Sequence, residues 1–379
     1  MTPVKPYPEC ATCPARNGKL VAPEPAQQGA RLVVIGEAPS RAEVEERRVF
    51  TGSSGRFLGR GLRTLGLQRS DIHWTNAILC ECAPDDQREA RKSCQTRLTA
   101  ELGAAVAAGA AAHGSPPVVM PVGALGLQGA LATNKKTQIL RWRGSVNPIE
   151  LGGVATHACP TLHPSFVMRS PAWGPVLELD VERVGRVMAQ GFTPPELQPG
   201  RRIVIAKELA TLRAELPQLG PEVGVDVETV GLGPTSTLLV CLALSDGSTT
   251  LVIPWSLGRD GRQPWWPGAE PRVAALISEC LASRVSITHN GPAFDHIVLA
   301  RYGLKVAAWD DTLLAQHAVA SHLPKRLSHC VTLSLDVTAW KEFEDRTATI
   351  ERLWIYNARD TLYTVLRWFD VKAELRGAA

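Results

Sequence analysis

Four carboxylates and four thiols are the side chains of this sequence best placed to do chemistry. Asp226 and Glu228 lie two apart in the strand-like run GVDVET, so both side chains leave the same face of a sheet and can bind metal together. Asp295 follows in HNGPAFD and Asp360 in YNARD, where Tyr356 sits one helical turn earlier on the same face. Together the four carboxylates could clamp two Mg²⁺ or Mn²⁺ ions around a scissile phosphate, one activating water and the other stabilising the leaving oxygen. Tyr356 would orient the attacking water. The thiols are Cys10 and Cys13, a C-x-x-C pair, with Cys80 and Cys94 flanking a polar segment. Nine cysteines in a chain whose first residues, MTPVKPYPEC, lack a signal-peptide core argue against disulfides and for metal or cluster ligation by some of them. The spacing suits Zn²⁺ or a 4Fe-4S cluster and does not separate the two. Cys82, Cys159, Cys241, Cys280 and Cys330 read as small buried hydrophobes, although Cys82 could compete with Cys80 as a ligand.

A length of 379 residues predicts two domains of ordinary size. The stretch QGFTPPELQPG, with three prolines, reads as the linker between them, giving domains 1–190 and 201–379 around a linker at 191–200. In the first domain the apolar runs RLVVI and VVMPV each meet a turn signal, GEAP and GALG, and helical periodicity follows. Strands alternating with helices predict a mostly parallel sheet. In the second, GVDVET and TLLVCLALSD are adjacent strand-like runs, followed by the helix-like PRVAALISECLAS and then SITHN, an order that predicts a mixed sheet with flanking helices.

Composition sets outer bounds. With 45% hydrophobic and 21% charged residues and no low-complexity tract, disorder is excluded as the default. The longest apolar run, Leu102 to Ala112, falls short of the roughly 20 residues a membrane span needs and reads as a buried helix. No membrane association and a cytoplasmic location are expected, the host cytoplasm if the chain is phage-encoded. A net charge of +4 says little by itself about nucleic acid. Between Arg56 and Arg69, however, four arginines occur without an acidic residue, and Arg56, Arg60 and Arg63 share a helical face that either neutralises phosphates or is simply solvated.

Residues from about 201 to 379 resemble the proofreading exonuclease domain of family A DNA polymerases, in the tyrosine branch of the DEDD superfamily. VDVET, HNGPAFDHIVLARYGL and YNARDTLYT match its three motifs in order, and WDDTLLAQHAV and LPKRLSHCV look like its Asp-Thr helix and Leu-x-x-Leu segment. The resemblance implies a ribonuclease H-like α/β fold, metal binding by Asp226, Glu228, Asp295 and Asp360, water positioning by Tyr356, and a 3′-end pocket lined by Asn290. Asp311, beside Asp310, reads as a helix cap.

Residues from about 8 to 190 look like a family 4 uracil-DNA glycosylase. GEAPSRAEVEERRVFTGSSGRFL, TNAILC and TLHPSFVMR match that family's GEAP, Asn-to-Cys and HPS segments. This implies an α/β/α sandwich with a 4Fe-4S cluster on Cys10, Cys13, Cys80 and Cys94. Phe50 would stack on uracil, Asn76 read its edge, His163 stabilise the anionic leaving base, and Glu37 position or activate water. Glu43 matches a further acidic position, and Met168 and Arg169 occupy the region that wedges into the duplex. Ser40, Arg41, Ala42, Val44 and Thr51 depart from the family pattern and could alter base choice. Some phage family A polymerases place a glycosylase-like domain ahead of exonuclease and polymerase domains. Two functions are therefore expected of such a chain. One is a repair enzyme that excises uracil and trims single-stranded 3′ ends of DNA; the other is a proofreading subunit for a separate DNA polymerase.

Overall fold

The computed structural model describes residues 7–231, 233–343 and 349–377. The chain forms two compact units: one comprises Met1–Phe192 with the short segment Asp336–Ala339, and the other Thr193–Leu335 with Trp340–Ala379.

The first unit is built on five strands: β1 (Leu32–Gly36), β2 (Ile72–Asn76), β3 (Val118–Pro121), β4 (Asn147–Leu151) and β5 (Val154–Ala158). Their order is β2-β1-β3-β5-β4. All pairs are parallel except the β4–β5 hairpin, whose Gly152 and Gly153 supply the positive φ values its two-residue turn requires. Every residue of β1 is buried, as a strand covered on both faces must be. Leu32 and Val34 face one core with Leu58 and Leu62 of the helix Ser53–Thr64 and Val181, Val184 and Val187 of the helix Gly174–Gln190. Val33 and Ile35 face the other, with Leu98, Leu102 and Val106 of the helix Gln95–His113. Period-2 alternation in one apolar run thus fills both cores of an α/β/α sandwich, the fold expected for this half. The apolar run from Leu102 lies in that last helix and is buried along one face only. No described helix is long and apolar enough to cross a membrane.

The second unit has the expected mixed sheet. Its strands are β6 (Arg202–Ile205), β7 (Glu222–Val230), β8 (Leu238–Ser245), β9 (Thr249–Pro254), β10 (Val285–Thr288) and β11 (Ala308–Asp311), in the order β11-β10-β7-β8-β9-β6. The β7–β8–β9 meander is antiparallel, and β6, β10 and β11 add in parallel. Val223, Val225 and Val227 of β7 pack on Val273, Ile277 and Leu281 of the helix Glu270–Ala282. Asp226 and Glu228 have the opposite parity and so face the other side, where the helix Ile350–Gly377 lies against the sheet. That helix approaches β7 closely at Gly224, where an added Cβ would stand 2.8 Å from the Thr361 carbonyl oxygen.

The stretch expected to be a linker is partly anchored. Glu196 is buried, accepts a hydrogen bond from the Tyr363 hydroxyl at 2.5 Å and pairs with Arg359 at 2.7 Å. Burial of that charge is offset by these two partners, so the chain from Thr193 onward packs with the second unit. Cys159, Cys241, Cys280 and Cys330 are buried apolar side chains, as expected.

Candidate active sites

The carboxylate centre of the second unit is assembled from three elements. Carboxylate oxygens of Asp226 and Glu228 on β7 and of Asp360 on the helix Ile350–Gly377 lie within 4.8 Å of one another. Asp295, first residue of the helix Asp295–Arg301, is buried and accepts the Val227 amide at 3.2 Å, which sets it against β7 between the two strand carboxylates in sequence. Tyr356 is buried one helical turn before Asp360. Asn290 is exposed in the left-handed region at φ 69°, just ahead of the turn that leads to Asp295. Asp311 caps a helix: it accepts from the Leu313 and Leu314 amides at 2.9 and 3.2 Å and from Gly291 N at 2.9 Å.

Three polar partners in this centre are not marked by any motif quoted above as ligands or catalytic groups. Asn357 Nδ2 donates to Asp226 Oδ2 at 2.6 Å. Trp340 Nε1 donates to Asp360 Oδ1 at 2.5 Å, and Lys341 Nζ donates to Asp360 Oδ2 at 2.7 Å and to the Tyr356 hydroxyl at 3.2 Å. Asn357 could have been suspected from its place inside YNARD. Trp340 and Lys341 lie outside every matched segment, and their arrival at Asp360 is a matter of tertiary folding.

Burial, and then the neighbouring carboxylates Asp295, Asp360 and Glu228, hold the Asp226 carboxyl well above the ordinary carboxylate range. Burial likewise lifts Asp295 to about 7, against the stabilising Val227 amide, and lifts the Tyr356 phenol to about 12. Crowded hard oxygen donors that cling to protons fit divalent Mg²⁺ or Mn²⁺, because a cation relieves the repulsion that otherwise raises their pKa values. A pH effect on stability follows. Asp295 keeps its proton in the folded protein up to about pH 7, whereas the unfolded chain releases it near the ordinary carboxylate value. The stability of metal-free protein therefore falls as pH rises through that window and levels off above it. In thermal unfolding with EDTA, the wild type should lose several degrees between pH 5 and 8 relative to Asp295→Asn, and Mg²⁺ should restore them. Parallel pH profiles for the two proteins would refute the assignment.

In the first unit a second constellation gathers at the carboxyl ends of β1 and β2, where open α/β sheets place their crevices. Glu37 follows β1, and its Oε1 accepts the Leu125 amide at 3.2 Å. Gly123, at φ 84°, leaves room for it, since a Cβ there would lie 2.5 Å from that oxygen. Asn76 ends β2, is 2% exposed, and its Nδ2 has no hydrogen-bond partner among the described residues. Gly36 opens space beside it, for a Cβ there would meet Asn76 Oδ1 at 2.1 Å and the Phe50 ring at 2.8 Å. Phe50 is held at φ 54° with its ring 4.9 Å from that of Trp74. Glu43 fixes this loop: its carboxylate accepts the Phe50 amide and, at 2.7 Å, the Ser40 amide, completing a capping box.

His163 caps the helix Pro164–Arg169, its Nδ1 accepting the Ser165 amide at 3.2 Å. Burial lowers its pKa more than the nearby Glu37 and Glu43 raise it, which favours the neutral ring, and an Nδ1 that accepts the Ser165 amide leaves the ring proton to Nε2. Met168 and Arg169 are exposed at the end of that helix. On the helix Ser53–Thr64, Arg56, Arg60 and Arg63 form an exposed basic face opposite buried Leu58 and Leu62.

Cys13 meets the later cysteines where residues 18–21 pack against 79–81. Leu20 bridges Cys80, Val21 N donates to Leu79 O at 2.8 Å, and a Cβ on Gly18 would overlap the Glu81 carbonyl. Cys13, Cys80, Cys82 and Cys94 share one apolar cluster, and Cys10 lies one tight turn before Cys13. Burial, followed by Asp86 and the neighbouring cysteines, pushes the Cys82 thiol to about 11, and burial raises Cys94. Free thiols gathered in an apolar setting fit an iron-sulfur cluster, whose iron charge stabilises thiolates that burial alone disfavours. Purified protein should be brown and contain iron, and Cys94→Ala should lose most of that iron and unfold at a lower temperature. A colourless, iron-free wild type prepared anaerobically would exclude the cluster.

Residues 24–178 match the uracil DNA glycosylase superfamily. The chain is 26% identical over 169 residues to a type-4 uracil-DNA glycosylase of Pyrobaculum aerophilum, covering 43% of this chain and 81% of that protein. It is also 25% identical over 219 residues to a DNA polymerase of Bacillus phage SP01, covering 54% of this chain and 21% of the polymerase. Among solved structures, Escherichia coli RNase D, an exoribonuclease involved in structured RNA processing, aligns with a TM-score of 0.34 at 20% identity, covering 47% of this chain and 45% of that one.

Proposed function

We propose that this chain is a DNA-processing hydrolase with two sites, a uracil-excising glycosylase site in the first unit and a metal-dependent 3′-5′ exonuclease site in the second. The observation that carries the exonuclease reading is the approach of Asp226, Glu228 and Asp360 within 4.8 Å, with Tyr356 one turn from Asp360. Asp226, Glu228, Asp295 and Asp360 would hold two divalent ions, which when bound supply water activation and stabilisation of the leaving oxygen. Asn357 orients Asp226, Tyr356 directs water toward the scissile phosphate, and Asn290 borders the 3′ end.

The glycosylase reading is supported by the superfamily match over residues 24–178 and by the unpartnered Nδ2 of Asn76. A buried amide donor without a partner is costly until a ligand acceptor reaches it, and the edge of uracil offers one. Phe50 stacks on the flipped base, the Nε2 proton of neutral His163 is available to the base as it leaves with the glycosidic electron pair, and Glu37 holds the water that attacks the sugar. Glu43 keeps Phe50 in place. Met168 and Arg169 enter the duplex, and Cys10, Cys13, Cys80 and Cys94 hold the 4Fe-4S cluster. A second reading, a proofreading subunit whose first unit only binds DNA or a polymerase, draws on the similarity to the phage DNA polymerase.

One labelled single strand containing a single uracil distinguishes these. Incubation of the full chain with EDTA followed by alkali reports abasic sites, and incubation with Mg²⁺ reports shortening from the 3′ end. Both products support the two-site enzyme, shortening without alkali cleavage supports the proofreading subunit, and neither product overturns both.

A further inference from the structure

We propose that Lys341 is a resident cation of the carboxylate centre, bound at Asp360 in place of a divalent ion and displaced from it when metal enters. The inference rests on the exonuclease reading of that centre. Lys341 Nζ lies 2.7 Å from Asp360 Oδ2 and 3.2 Å from the Tyr356 hydroxyl, and stands over the Trp340 and Tyr356 rings at 5.7 and 5.3 Å. Trp340 Nε1 takes the other oxygen of Asp360, so protein donors engage both of its oxygens. Asp360 is only 4% exposed, which leaves little room for water to replace them.

Each Asp360 oxygen keeps a second lone pair, so the competition is one of charge: an ammonium 2.7 Å from Oδ2 and a divalent ion on the same carboxylate repel each other. A cluster of buried carboxylates without any cation is costly, which is the condition Lys341 relieves at Asp360. Lysine suits an exchangeable role: a compact charge on a flexible stem with three donors can leave Asp360 and keep its contact with Tyr356. Lys341 thereby stabilises the metal-free protein, weakens metal binding, and holds the phenol oxygen beside the centre in both states.

The test is a calorimetric Mn²⁺ titration of the full chain as wild type, Lys341→Met, Lys341→Gln and Asp226→Ala, each paired with thermal unfolding in EDTA. The two Lys341 variants should bind Mn²⁺ on the order of tenfold more tightly, as expected when an intramolecular competitor is removed. They should also unfold at lower temperature in EDTA, with the difference closing in saturating Mn²⁺. Lys341→Gln keeps the side-chain length and a neutral donor, so it serves if Lys341→Met does not fold. Mn²⁺ binding that is lost in Asp226→Ala yet equal or weaker in the Lys341 variants overturns the proposal alone. Binding that Asp226→Ala leaves unchanged overturns the metal-centre reading and the proposal with it.

Discussion

Asp226→Ala is expected to abolish Mg²⁺-dependent shortening of a 3′ end while leaving uracil excision in EDTA intact. Asp226 holds the centre together: it shares a strand face with Glu228, is oriented by Asn357 at 2.6 Å, and faces Asp360 across the gap to the helix. Losing one carboxylate ligand from a metal site removes several kcal/mol of transition-state stabilisation, a fall in rate of about three orders of magnitude. The same substitution removes a carboxyl that burial and like charges disfavour in its ionised form, so the metal-free protein should unfold no earlier than wild type above pH 7. That combination separates lost chemistry from lost folding. Wild-type shortening by the variant would sink the exonuclease assignment.

The second large effect is expected at Asn76. Asn76→Asp changes one buried nitrogen to oxygen without changing shape, and so turns the unpartnered donor of the first-unit site into an acceptor. Facing the acceptor edge of uracil, it trades a hydrogen bond for a repulsion, and in a buried site a mismatched polar pair costs far more than its area suggests. The alkali-revealed cleavage should fall by about two to three orders of magnitude, a range typical of losing a single preorganised donor. Shortening by the second unit should be unchanged, since Asn76 and the carboxylates belong to different units. Full uracil excision by this variant would show that Asn76 does not read the base.

Much of the fold was legible because local periodicity carries it. RLVVI and VVMPV announced buried parallel strands through continuous apolar runs bounded by turns, and β1 and β3 occupy those runs. QGFTPPELQPG announced a break in packing, but its composition concealed that Glu196 would find Tyr363 and Arg359, partners more than 160 residues away in the sequence. Glu43 was legible only as an acidic position. Its grip on the Phe50 amide depends on a loop that turns back on a capped helix and leaves Phe50 at positive φ, which no spacing announces.

The sequence by itself determined which chemistry each unit could support. A two-residue spacing places Asp226 and Glu228 on one sheet face, a four-residue spacing places Tyr356 and Asp360 on one helix face, and a C-x-x-C pair commits two thiols to one turn. These are properties of the backbone repeat and need no partner. Tertiary structure alone decided what those faces meet. The close approach of the helix to β7 at Gly224 brings Asp360 to Asp226, and the return of the chain at Trp340 brings a tryptophan and a lysine to Asp360. Packing also placed Cys82, already a rival ligand by sequence, in one apolar cluster with Cys13, Cys80 and Cys94. The physical reason is that strand and helix periods set directions within an element, whereas register between elements is set by the packing of side chains distant in sequence.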